Sequence, residues 1–126
     1  MKLKKILIVD DADFMREMIE DMLDPKHYKV VGHAFNGKEA VAKYKQLTKN
    51  GLKPNIVLMD LVLPEKDGLL ATKEILDYDK EAKILIVSAL NAPEIIKGAL
   101  EVGAKGYIHK PITIIKLLSA LTDVLS

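Results

Sequence analysis

The chain has 126 residues, of which 49% are apolar and 29% charged, with 19 basic against 18 acidic side chains. That is the size and balance of one ordinary globular domain, large enough to bury a core without a disulfide or a structural metal. The near-neutral charge gives no electrostatic reason to expect nucleic acid or an anionic membrane as partner, and the absence of cysteine excludes a disulfide scaffold, thiol catalysis and Cys-ligated zinc, which fits a reducing, cytoplasmic setting. No apolar run exceeds four residues, so neither a transmembrane span nor a signal-peptide core is expected.

Residues 6–9 (Ile-Leu-Ile-Val) predict a first strand that ends in Asp10-Asp11. An amphipathic helix is expected over 13–23, with Asp13 placed to cap it. Val30-Val31 reads as a second strand, and Asn36-Gly37 opens a second helix over 37–47. Residues 56–59 give a third strand, followed by Asp60 and a turn bracketed by Pro64 and Gly68. A third helix spans 68–78, a fourth strand 84–87 runs into Ser88, and a fourth helix, with Pro93 in its first turn, spans 92–102. Gly103 and Gly106 flank the approach to a fifth strand at Tyr107-Ile108, which leads to Lys110-Pro111. A fifth helix over 114–125 places Ile114, Leu117, Leu118, Leu121, Val124 and Leu125 on one arc and leaves Ile115 off it.

Apolar runs that do not alternate indicate strands covered on both faces, as in a parallel sheet. The pattern is therefore α/β: a (βα)5 chain whose right-handed crossovers give one doubly wound, parallel, five-stranded sheet. In such sheets ligands bind outside the carboxyl ends of the strands. Those ends carry Asp10, Asp11, Asp60, Ser88 and Lys110. Two carboxylates ~4 Å apart repel by about 4 kcal/mol at an effective dielectric near 20, so three in one cleft call for a proton or a cation. Oxygen-only ligands favour a hard divalent ion, Mg²⁺ first. A lysine and a hydroxyl beside that ion complete a phosphoryl site, in which an aspartate can itself be the acceptor.

These motifs, together with Leu63-Pro64, Asp67-Gly68, Val87-Ser88-Ala89 and the run from Gly106 to Pro111, resemble the response-regulator receiver domain, over essentially the whole chain. The resemblance is greatest to the stand-alone chemotaxis regulators of that family. It implies a flavodoxin-like strand order 2-1-3-4-5 in a single domain covering residues 1–126. It implies that Asp60 is phosphorylated by a histidine kinase of the CheA type. Asp10, Asp11, Asp60 and the backbone carbonyl of Val62 would serve Mg²⁺, with Asp10 acting through water. Ser88, Tyr107 and Lys110 would form the switch, and the Lys110-Pro111 bond would be cis. The readout face would be the fourth helix, fifth strand and fifth helix, engaging a motor-switch or adaptor protein. A monomeric phosphoacceptor rather than an enzyme in the usual sense is expected. Two alternatives stand beside this: a carrier in a phosphorelay, and a haloacid-dehalogenase-like phosphatase using Asp11 and Asp13. Val62 and Leu90 are apolar where fast-decaying chemotaxis regulators often carry polar side chains, which implies slow loss of the phosphoryl group.

The remaining features have plainer readings. His27, His33 and His109 lie too far apart in sequence to suggest a metal triad. Met15, Met18, Met22 and Met59 read as core fillers. Lys2, Lys4 and Lys5 are too few to predict nucleic-acid binding.

Overall fold

A computed structural model describes residues 2–126. The elements run β1 (Lys4–Val9), α1 (Asp13–Met22), β2 (Tyr28–Ala34), α2 (Gly37–Lys49), β3 (Ile56–Met59), α3 (Gly68–Tyr78), β4 (Ile84–Ser88), α4 (Pro93–Val102), β5 (Gly106–His109) and α5 (Ile114–Leu125). All strand pairs are parallel and the order is β2-β1-β3-β4-β5. The expected fold class and strand order are both found.

The alternation of side chains along each strand divides the core in two. Leu7, Val9, Val57, Met59, Ile84 and Ile86 face one way, against Ala40, Tyr44, Ala71, Ile75 and Ala99 of α2, α3 and α4. Ile6, Ile8, Ile56, Leu58, Leu85 and Val87 face the other way, against Ile19 of α1 and Leu117 and Leu121 of α5. Three helices cover one face and two the other, which is why the strands read as unbroken apolar runs. Met59 is fully buried, and Met15, Met18 and Met22 pack against the second cluster, as expected of fillers.

Three expectations need correction. Asp13 does not cap α1: the N-cap is Ala12, with no side-chain cap, and Asp13 is the first helical residue. The Asp10 carboxylate already ties the chain at this point, accepting from the Ala12 N–H at 2.9 Å, and so starts the helix early. Ile114 is 52% exposed rather than buried. α5 is ~18 Å long at 1.5 Å per residue and β5 only ~13 Å at 3.3 Å per residue, so the strand cannot cover the whole helix. β2 is longer than Val30-Val31, and it gains a bulge: Ile6 pairs with Val30 but Leu7 with Gly32, leaving Val31 unpaired. The other boundary readings hold. Asn36 caps α2 by accepting from Glu39 N–H at 2.7 Å, Pro93 is in the first turn of α4, and Gly103 ends α4 at φ +124°.

A polar staple joins α2 to the end of α3. Tyr44 donates its hydroxyl proton to Asp79 at 2.7 Å, and Lys53 pairs with the same carboxylate at 2.6 Å. Burial, then the bond to Asp79, pushes the Tyr44 phenol well above its ordinary value. Burial opposes ionisation of Asp79, but Lys53 and Tyr44 outweigh it and hold the carboxyl below the usual range. A depressed carboxylate stabilises the fold above its unfolded pKa and loses that contribution as pH falls through the folded value. Tyr44→Phe should therefore cost about 1 kcal/mol at neutral pH. The deficit against the parent should shrink below pH ~4, where the unfolded carboxylate titrates. Urea unfolding of both proteins across pH 3–8 measures it.

Candidate functional site

Two strand ends deliver the acidic cluster. β1 stops at Val9, so Asp10 and Asp11 emerge at its carboxyl end, and β3 stops at Met59, so Asp60 emerges beside them, the two strands being direct neighbours. Asp10 and Asp60 are 4% and 6% exposed, and Asp11 is exposed. One carboxylate oxygen from each of the three lies within 4.8 Å of the others. Lys110, which follows β5, reaches over from the far edge: its Nζ donates to Asp10 Oδ2 at 2.9 Å and to Asp60 Oδ2 at 3.1 Å. The Lys110-Pro111 bond is cis.

Burial, with the charge of Asp10 adding to it, pushes the Asp60 carboxyl above the ordinary range, and Lys110 offsets only part of that. Burial also works against the Lys110 charge, but the bond to Asp10 and the charge of Asp60 prevail and hold the ammonium above its usual value. The pocket is thus short of positive charge: one cation serves three carboxylates. The donor set is oxygen only, with no imidazole or thiolate in the cluster, and that chemistry suits Mg²⁺.

Ser88 is fully buried at the end of β4, and its Oγ accepts from the Leu90 N–H at 3.2 Å. Tyr107 of β5 donates its hydroxyl proton to the Leu90 carbonyl at 2.5 Å. Burial raises the Tyr107 phenol pKa. Leu90 therefore joins the two side chains through its own backbone. Val62 lies beside the acceptor, its N–H 3.3 Å from Asp60 Oδ1, with its side chain 60% exposed. The three histidines stand outside the cluster: His33 bonds Glu20, His27 bonds Asp24 and His109 bonds the Ala89 carbonyl. Asp13 points away as well, paired with Arg16.

Sequence reasoning missed two supports of this site. Arg16 donates to the Asp10 carbonyl at 2.5 Å and bonds Asp13 too, bracing the acidic turn. The available signal was that Arg16 is the chain's single arginine, one turn past the acidic pair. The second is the close approach at Gly68, which the sequence marked only as the end of a turn. A Cβ there would lie 2.0 Å from the Asp60 carbonyl oxygen, so only glycine lets α3 approach the acceptor's backbone. Gly68→Ala must push Asp60 and Leu61 aside, a backbone overlap expected to cost at least about 2 kcal/mol. Its thermal midpoint should fall and its Mg²⁺ affinity drop with it, as melting with and without the ion would reveal.

The profile of the response regulator receiver domain matches residues 6–122. The chain belongs to that family. This receiver domain is 45% identical over 121 residues to the chemotaxis protein CheY of Thermotoga maritima, covering 96% of this chain and 97% of that one. It is 42% identical over 122 residues to CheY of Bacillus subtilis, covering 97% and 98%. Among solved structures, CheY in the CheX-CheY-BeF3-Mg complex from Borrelia burgdorferi superposes with a TM-score of 0.91 at 32% identity, over 98% of this chain and 90% of that one. The receiver domain is therefore homologous to the chemotaxis response regulators, signalling switches of two-component systems. Membership sets aside the phosphatase alternative. Among the described residues no helix is long and apolar enough to cross a membrane.

Proposed function

We propose that Asp60 accepts a phosphoryl group from the phosphohistidine of a CheA-like histidine kinase in a Mg²⁺-dependent reaction. The acyl phosphate then switches the face formed by α4, β5 and α5 toward a downstream motor-switch or adaptor protein in the cytoplasm. The observation that carries this reading is the cluster of Asp10, Asp11 and Asp60 with Lys110 bonded to two of its members. Asp10, Asp11, Asp60 and the Val62 carbonyl would hold the ion, which when bound supplies the positive charge the pocket lacks.

The chain's own groups do the rest. An Asp60 oxygen forms the new P–O bond while the P–N bond of the donor breaks and the imidazole leaves with the electron pair. Lys110 exchanges one carboxylate partner for a phosphoryl oxygen. The Ser88 hydroxyl donates to a second oxygen and draws on the Leu90 N–H it already holds. Tyr107 follows through the Leu90 carbonyl, and α4 starts three residues further on. Two new bonds at Ser88 and Lys110 then bias a bistable surface. Ile115, 82% exposed on α5, and Leu100 on α4 give that surface apolar contacts for a target. Capture of one phosphoryl group from a small phosphodonor with Mg²⁺, followed by intact mass and site mapping, tests the proposal. Sustained turnover of the donor without a covalent adduct would overturn it.

Val62, whose N–H faces the acceptor, and Leu90, whose N–H bonds Ser88, both carry apolar side chains, so neither can orient an attacking water through a side-chain hydrogen bond. Val62→Asn combined with Leu90→Glu should shorten the phosphoryl lifetime by about a hundredfold, the low end of what a positioned acid–base group contributes to such a step. Timed loss of label from the two phosphorylated proteins gives the ratio.

A further inference from the structure

At the opposite pole of the sheet, four lysines converge. Lys4 and Lys5 open β1, Lys53 precedes β3 and Lys83 precedes β4. Together with Pro54, Asn55 and Leu125 they line a concavity of about 400 Å³. Glu81 is the one carboxylate side chain lining it. With Lys53 matched by Asp79, three cations face one anion, a local excess in a chain whose net charge is only +1.

The excess is not absorbed by the protein. Lys53 pairs with Asp79, but among the described residues Lys4, Lys5 and Lys83 have no carboxylate within 4.0 Å, and their ammonium groups donate no hydrogen bond. Lys66, Lys73, Lys97 and Lys110 each sit on an acidic partner; what sets Lys4, Lys5 and Lys83 apart is that they line one concavity together. Lys5 and Lys83 are also partly buried, their stems held along the rim of the concavity. Capping of nearby helix ends does not explain them. None of the three ammonium groups bonds a carbonyl of α2 or α3; the Asn50 N–H meets the Gln46 and Thr48 carbonyls and the Asp79 N–H meets that of Ile75.

We propose that this concavity binds a small polyphosphate anion. Ammonium groups are compact point charges suited to phosphate oxygens. They approach from the starts of three different segments onto a volume in the range of small-ligand sites. A triphosphate chain carries enough negative charge to match the local excess. A nucleic-acid strand would need a basic stripe tracking its backbone, whereas these lysines surround a pit.

The test uses the full chain without Mg²⁺, titrated at low ionic strength with inorganic tripolyphosphate and, separately, with ATP. Saturable binding is expected, with amide shifts centred on Lys4, Lys5, Asn55 and Lys83. Tighter binding of ATP identifies a nucleotide whose base rests on Pro54 and Leu125, and equal binding identifies the phosphate chain alone. Lys5→Gln with Lys83→Gln should weaken binding at least tenfold while phosphoryl capture at Asp60 is retained, which shows that the variant folds. Glu81→Gln, which deletes the opposing charge, should tighten binding. No saturation by ~1 mM ligand, shifts centred on Asp10 and Lys110 instead, or affinities unmoved by both substitutions would overturn the proposal.

Discussion

Replacing Asp60 by Asn is expected to abolish phosphoryl capture and, at the same time, to make the metal-free protein more stable. The first effect follows from chemistry: an amide oxygen does not form the acyl phosphate. The second follows from the electrostatics of the pocket. Burial and Asp10 hold the Asp60 carboxyl above its ordinary pKa, so its charged form is strained in the fold. A group whose folded pKa is raised stabilises the fold below the unfolded value and loses that contribution as pH climbs through the folded value. At neutral pH the ionised Asp60 is therefore a burden that Asn removes. The gain should appear as a higher urea midpoint for the variant at neutral pH. It should fade as the pH is lowered toward 4, and Mg²⁺ should erase it by stabilising the parent alone. Urea unfolding at several pH values, with and without the ion, is the measurement, and a variant less stable than its parent at pH 7 without Mg²⁺ would refute this account.

The opposite substitution has the opposite sign. Lys110→Met removes the one cation bonded to Asp10 and Asp60 while leaving both carboxylates mostly buried. Breaking a buried pair from one side costs about 3–5 kcal/mol because the remaining charge has no partner. Here the residual exposure of Lys110 places the expectation near the low end, about 3 kcal/mol. Acidification, which protonates one carboxylate, and Mg²⁺, which neutralises both, should each recover most of the loss. Capture of phosphate should still occur, since the nucleophile remains, but the exposed face of α4 and α5 should no longer respond to it. Hydrogen exchange on α4 before and after phosphorylation separates the two steps: protection that still changes in Lys110→Met would remove the lysine from the switch.

How much of this was legible in the sequence depends on how local the cause is. β1, β3 and β4 lie under helices on both sides, so their apolar runs marked them without ambiguity. β2 is an edge strand carrying exposed Lys29 and partly exposed His33, and its apolar run was correspondingly short. The acidic cluster was readable because parallel strands must place their carboxyl ends together, so residues fifty apart in sequence became neighbours by topology alone. The Tyr44–Asp79–Lys53 staple was not readable, because it depends on where two loops happen to meet. Neither was the start of α1, where an acidic turn held by Arg16 took over from the expected cap. The lysines of the amino pole show the same limit from the other side: Lys4 and Lys5 alone were too few to predict a nucleic-acid partner, and only the sheet brought Lys53 and Lys83 to them.

The unpaired residue at Val31 also bears on how the protein behaves in a crowded solution. β2 is the longest strand, and its outer rim exposes peptide groups to any other chain. A straight rim would template the addition of a second molecule, strand upon strand. The bulge breaks the hydrogen-bonding rhythm midway and twists the rim, while Lys29 adds a charge that an incoming strand would have to bury. An irregular, charged rim therefore makes strand-on-strand pairing between two copies of the chain costly.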